Sequence, residues 1–378
     1  MTELYSPLHS LKQGNWFKLI CGASFQHLPA VRNLTLAYTL AGADCIDVAA
    51  DLAVIAAAQE ALQVASNLAA ESQQRGFGVA GPPSWLMVSL NDGEDPHFRK
   101  AEFNRSECPT DCARPCESIC PAQAIVFNRK GDEFSGVVAD RCYGCGRCLP
   151  VCPSQLIYTR SYVSTPQAIA PLVLSTGVDA VEIHTQVGRR AAFERLWKSI
   201  APWVDQLKLV AISCPDGDNL IDYLWSLYDL IAPLKSALIW QTDGRPMSGD
   251  IGDGTTRAAV KLGQKVLAAR LPGYVQLAGG TNSSTVAKLQ ASGLLPLISG
   301  VAYGSYARVL LTPILDQLEK MEVNKASVMA TIRLESNPDL LWQAVALAHS
   351  LVSQLKSPQI AGSSSANRAL APPPSRYC

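Results

Sequence analysis

Neither sign of charge predominates in this sequence: 32 lysines and arginines balance 32 aspartates and glutamates. That balance argues against an electrostatic nucleic-acid binder and against a polybasic membrane anchor. Long apolar runs are missing as well. None reaches the roughly 18 residues that a bilayer-spanning helix needs, and the most apolar region, 36–70, is broken by Asp44, Asp47, Asp51 and Glu60. The opening residues, MTELYSPLHSLKQGNWFK, lack the basic end and apolar stretch of a secretory signal. The expected address is therefore a reducing cytoplasm. There, clustered cysteines serve as metal ligands or redox groups rather than as structural disulfides. No Ser-His-Asp or paired-carboxylate arrangement stands out, and there is no internal repeat beyond a strand–helix period.

What the chain does have is cysteine. Eight of its twelve cysteines fall in two stretches, CPTDCARPCESICP at 108–121 and CYGCGRCLPVCP at 142–153. The second reads Cys142-x₂-Cys145-x₂-Cys148-x₃-Cys152-Pro153, the bacterial ferredoxin run. Three cysteines two residues apart wrap one corner of a cubane, and Gly144 and Gly146 let backbone N–H groups approach the sulfurs. The fourth, followed by proline, serves the other cluster. The first stretch, Cys108-x₃-Cys112-x₃-Cys116-x₃-Cys120-Pro121, is looser but closes the same way. The expected ligation is crossed: Cys108, Cys112 and Cys116 with Cys152 hold one [4Fe–4S] cluster, and Cys142, Cys145 and Cys148 with Cys120 hold the other. The relaxed spacing leaves a three-iron or labile cluster open for the first. Zinc is the competing metal, since paired Cys motifs also make Cys₄ sites. Between the stretches, AIVFNRKGDEFSGVVADR reads as two short β segments around a Lys-Gly-Asp turn. Cys21 and Cys45 read as core filler in or beside strands. Cys214 is expected at the end of a strand, facing the barrel mouth, and Cys378 is a thiol on a tail.

Around this region, short apolar runs alternate with amphipathic helical runs, the signature of βαβ units and a parallel sheet covered on both faces. Strands are expected at 17–24, 45–50, 84–90, 180–185, 207–214, 236–243, 273–280 and 297–304. Eight units in this length predict a (β/α)₈ barrel, with an open doubly wound sheet as the alternative. The cysteine region then forms a ferredoxin-type α+β insert, 96–160, after strand three. Barrel segments flank it at 1–95 and 161–356, the latter ending in an extra helix at 338–356. A disordered tail is expected at 357–378.

Loops after barrel strands gather on one face, where barrel active sites are built. Candidate polar residues there are Asp51, Asn91, His184, Asp243 and Arg245. His184 alone reads more readily as a satisfied core histidine. The Gly-rich loop 241–256 is a candidate lid or switch. LAGGTN after strand seven and AYGSYAR after strand eight stand where barrels bind phosphate. This arrangement, with ISCP at 212–215, resembles flavin-binding barrels such as dihydroorotate and dihydropyrimidine dehydrogenases, which pair FMN with ferredoxin-type clusters. Those enzymes place a lysine near the flavin, whereas Lys18 and Lys208 here are expected at strand starts, the wrong end.

The cysteine runs, together with FKLICGASFQHLPAVRNLTLAYTLAGADCIDVAADLAV and IWQTDGRPMSGDIGDGTT, resemble the cyanobacterial light-dependent period family over most of the chain. The resemblance implies iron–sulfur clusters on the same eight cysteines. It also implies adjustment of circadian period to light through redox state, and association with clock proteins. The expectation is a redox sensor rather than an enzyme, fed by a quinone or by ferredoxin. The alternative is a flavin-dependent oxidoreductase in which the clusters carry electrons to the barrel. A free carrier fits less well, because residues 96–160 hold nine basic and seven acidic side chains where soluble ferredoxins are acidic.

Overall fold

Eight parallel strands close on themselves in the computed structural model, which describes residues 7–78, 84–93, 95–129, 133–161, 165–246, 251–324 and 333–356. The chain enters through a short helix, α1 (Pro7–Gln13). The first three barrel units follow: β1 (Trp16–Ile20) and α2 (Leu28–Leu40), β2 (Cys45–Ala49) and α3 (Leu52–Gln74), then β3 (Trp85–Asn91). After β3 the chain leaves the barrel. It forms β4 (Arg99–Glu102), α4 (Pro115–Ile119), β5 (Ile125–Val126), β6 (Gly136–Val137), α5 (Cys148–Val151) and β7 (Tyr158–Ser161). Here β4 pairs with β7 and β5 with β6, both antiparallel. The barrel resumes with α6 (Pro166–Leu174), β8 (Ala180–His184), α7 (Arg190–Ile200), β9 (Leu209–Pro215) and α8 (Leu220–Ile231). It closes through β10 (Ala237–Asp243), α9 (Thr256–Ala268), β11 (Tyr274–Ala278), α10 (Thr285–Ala291), β12 (Gly300–Tyr303) and α11 (Ser305–Asn324). A last helix, α12 (Pro338–Lys356), packs across α2 and α11.

The open-sheet alternative is thereby excluded, because β12 pairs with β1. The Lys-Gly-Asp turn, residues 247–250 of the loop after β10, the tail at 357–378 and Cys378 lie outside the described residues. Helix α1 was not among the expected elements. Its Leu11 is fully buried beneath the barrel, in one cluster with Trp16, Cys45, Trp85 and Ile239. Trp16 and Trp85 meet edge-to-face there, 5.7 Å between centroids. By length and composition alone α3 could cross a bilayer, which the reading of apolar runs missed. In the fold it is a barrel helix, and Val54, Ile55, Ala58, Ala61 and Ala65 form its buried stripe.

Strand side chains alternate between the barrel interior and the sheet–helix core. Phe17 and Leu19 of β1 face the helices, and so do Val210, Ile212 and Cys214 of β9. The expectation that Cys214 faces the barrel mouth is therefore overturned. Ser213, its neighbour, points inward and bonds Gln241, while Cys214 is sealed in the outer core.

Candidate functional site

Above the apolar bottom layer, the barrel interior turns polar. Lys18, third residue of β1, is fully buried; its ammonium meets Glu182 of β8 at close range and Asp47 of β2 at 3.4 Å. Lys18 thus lies mid-strand, where the expectation had put it at the strand start. Burial pushes its pKa down, but the two carboxylates more than offset this and hold it up. Burial likewise pushes both carboxyls up. Glu182 is nonetheless held down at about 2 by Lys18 and His184, whereas Asp47 stays raised to about 6. The network continues as a chain. Trp16 Nε1 donates to Gln276 (2.6 Å), Gln276 Nε2 to Gln241 (2.5 Å), and Gln241 Nε2 to Glu182 (2.6 Å). Each residue of this chain thereby gains a partner that burial demands.

At the mouth, His184 sits at the end of β8 with its Nε2 2.9 Å from Glu182 Oε1. Its Nε2 is thus satisfied in the buried interior. The structure also brings to it two residues that the sequence did not single out. His97 and Asp95 follow β3, with His97 Nδ1 2.6 Å from Asp95 Oδ1 and His97 Nε2 3.0 Å from Asp243 Oδ2. The two histidine rings lie 4.7 Å apart. The only local signal was the Asp-Pro-His run just after a barrel strand. The other candidates have local work. Asp51 caps α3 by accepting from Ala53 and Val54, and Asn91 accepts from Gly93. Arg245 lines the cleft described next.

That cleft, about 730 Å³ and open above, is walled by His97, His184, Asp243, Tyr143, Gly280 and Arg308 among others. Gly279, Thr281, Gly304 and Ser305 also line it, so both glycine segments singled out in the sequence reach the same space. Gly279 has φ +68°, and a Cβ there would lie 1.8 Å from Asp243 Oδ1. Only glycine lets this turn close over the aspartate.

Tyr143 belongs to the cysteine-bearing segment. Flanked by Cys142 and Cys145, it is buried against the barrel. Its ring meets Phe25 edge-to-face at 6.0 Å, and the Arg308 guanidinium lies 4.1 Å over it. Arg308 also donates to the Ile20 carbonyl (2.7 Å) and to Ser305 Oγ (3.1 Å). Further contacts fix the segment to the barrel. Lys100 donates to Gln26 at 2.7 Å, Gln26 N donates to Asp140 O at 3.0 Å, and Arg141 pairs with Glu319 at 3.3 Å.

Seven of the eight clustered cysteines lie near one another in two groups. Burial raises the Cys148 thiol to about 12, and the neighbours that add to this are Cys145, Cys142 and Cys120. Burial raises Cys116 too, helped by Cys152 and Cys108. Backbone N–H groups point at sulfurs: Ala101 at Cys142 (3.3 Å), Ala124 at Cys120 (3.2 Å) and Arg114 at Cys112 (3.4 Å). Crowded thiols that raise one another, met by N–H donors, suit a cationic iron core that binds them as thiolates. Gly144 has φ +74°, and a Cβ there would sit 2.3 Å from the Arg99 carbonyl oxygen. The loop between Cys142 and Cys145 can therefore lie against β4 only with glycine.

These features define an α/β barrel that carries a cysteine-rich metal-binding segment at its mouth. Residues 108–163 match the family model described as the LdpA Fe-S cluster-binding domain, and residues 172–354 match the light dependent period A C-terminal domain. The chain is 49% identical to "Light dependent period A" of Synechococcus elongatus, over 93% of this chain and 94% of the relative. It belongs to the light dependent period A family and carries that family's iron–sulfur-binding domain. Among solved structures, the tryptophan synthase α subunit of Legionella pneumophila matches with a TM-score of 0.42 at 9% identity, over 93% of this chain and 98% of that one. N-acetylneuraminate lyase of Mycoplasma synoviae matches with a TM-score of 0.33 at 8% identity, over 87% and 78%. Likenesses this loose carry no argument about activity.

Proposed function

We propose that the protein is an iron–sulfur redox sensor that passes the cell's light-dependent redox state to the circadian clock, in a reducing cytoplasm. In this reading residues 96–160 are a two-cluster, ferredoxin-type insert. One [4Fe–4S] cluster sits on Cys108, Cys112, Cys116 and Cys152, and the other on Cys142, Cys145, Cys148 and Cys120. The grouping of Cys148 with Cys145, Cys142 and Cys120, and of Cys116 with Cys152 and Cys108, supports this crossed set. Bound there, the clusters supply one-electron chemistry from a quinone-linked or ferredoxin-linked donor.

One observation carries the proposal: Tyr143, next to two of the ligands, is a wall of the barrel-mouth cleft. A change of charge on the Cys142–Cys148 side is felt at Arg308, which stacks on Tyr143 and grips the Ile20 carbonyl and Ser305 at the mouth. Arg308 and the loop after β10 are the elements a partner would read, since an added electron shifts a two-state element only through such differential contacts. The test is pull-down of clock proteins by anaerobic protein, oxidised and then dithionite-reduced. A redox-dependent change in capture is expected. Equal capture in both states contradicts the sensor.

A second reading, a flavin-dependent oxidoreductase, draws on Gly279, Gly280, Gly304 and Ser305 converging on the cleft. It predicts a yellow chromophore released on denaturation, while the sensor predicts a brown absorbance that bleaches with dithionite and releases none.

A further inference from the structure

The barrel mouth holds a second constellation of metal-ligating side chains, apart from the cysteines. Asp95, His97 and His184 each bring one ligand atom to within 4.8 Å of the others. Their orientation is more informative than their proximity. Both histidines turn Nδ1 toward the two oxygens of one carboxylate: His97 Nδ1 lies 2.6 Å from Asp95 Oδ1, and His184 Nδ1 lies 4.0 Å from Asp95 Oδ2. Both hold the opposite nitrogen against a further carboxylate. His97 Nε2 is 3.0 Å from Asp243 Oδ2, and His184 Nε2 is 2.9 Å from Glu182 Oε1. Metal-binding histidines are typically held this way, with the far N–H on a carboxylate that fixes ring and tautomer.

The surroundings fix the set in place. Asp243 is 3% exposed and held beneath the Gly279 turn, so it backs His97 rather than joining the three ligands. His97 and His184 also line the 730 Å³ cleft, while Asp95, on which their Nδ1 atoms converge, lies buried behind them. Rigid walls hold the set. Phe98 packs edge-to-face on His184 at 5.4 Å, and Glu182 is tied to Lys18 and Gln241 inside the barrel.

We propose that Asp95, His97 and His184 form a mononuclear divalent-metal site at the barrel mouth, with Asp243 and Glu182 as the outer carboxylates. Two imidazoles and one carboxylate suit a first-row transition ion of the zinc or ferrous class. Bonds of about 2.0–2.2 Å around a tetrahedral ion require the His97–Asp95 hydrogen bond to open and His184 to draw in. The inference does not rest on the cluster assignment, since no cysteine takes part.

The test uses the full chain with its clusters, purified without oxygen and dialysed against zinc. Zinc, iron and sulfide are then measured together. The expected result is about one zinc per chain with iron and sulfide unchanged. His97→Ala, Asp95→Asn and His184→Ala should each weaken zinc binding by about tenfold or more, and Glu182→Gln, which acts through His184, by about 10–100-fold. Iron and the visible spectrum should not change in these variants. Because His184 and Glu182 lie inside the barrel, His97→Ala and Asp95→Asn, outside the barrel strands, keep the test sound if a barrel variant fails to fold. Zinc bound equally by His97→Ala would place it on other ligands and overturn the site, as would folded wild-type protein that takes up none. Loss of iron with zinc retained would count against the cluster assignment alone.

Discussion

The barrel and the cysteine-bearing segment are built on different terms. Barrel strands run up to seven residues, and every strand pairs on both sides. One extensive apolar cluster packs the barrel helices onto the sheet. The cysteine segment has paired strands of two and four residues and helices of five and four. Its own buried cluster is Ala101, Cys116, Ala124, Ile125, Phe127, Cys142, Cys148 and Ile157, so much of its core is thiol. Strands that short do not hold themselves together in water. The barrel is stabilised by its own side chains, whereas the segment is expected to depend on bound iron at its centre and on the barrel at its flank.

Substitutions sharpen that contrast, and the largest effect is expected inside the barrel. Lys18→Met leaves Asp47 and Glu182 buried without their cation, which should cost about 3–5 kcal/mol in urea unfolding. Iron per folded chain should stay constant, and loss of iron in step with stability would show that the two regions are not independent. Cys145→Ala comes next, removing about half of the iron while barrel unfolding holds; unchanged iron would refute the ligand set. Gly144→Ala forces a Cβ against the Arg99 carbonyl at positive φ, at a cost of about 1–3 kcal/mol. The effect should appear as faster hydrogen exchange over residues 95–161 and not in the strands. The smallest effect is expected for Tyr143→Leu, which keeps an apolar plug but loses the Arg308 stacking. About 0.5–1 kcal/mol of docking should be lost, read as protease sensitivity at the segment's edge with iron intact.

The barrel was legible in the sequence because its strands are buried on both faces, so they appear as continuous apolar runs set between amphipathic helices. The limits of α12 were readable to the residue for the same reason. The cysteine spacing made the metal-binding segment legible as well. Three things were not. Helix α1 has seven residues, too few for a periodicity to show. Whether Lys18 faces inward depends on strand register, and a start misplaced by one residue hides it among solvent-facing strand ends. His97 meets Asp243 and His184 only once the barrel closes, because nothing in the local sequence of residues 95–98 refers to strands that follow much later.

The most direct measurement is peptide-resolved hydrogen exchange on anaerobic holoprotein and on the same protein after oxidative removal of iron. The account predicts that residues 95–161 lose protection while β1–β3 and β8–β12 keep theirs. Protection lost throughout the barrel, or retained in the segment without iron, would contradict it.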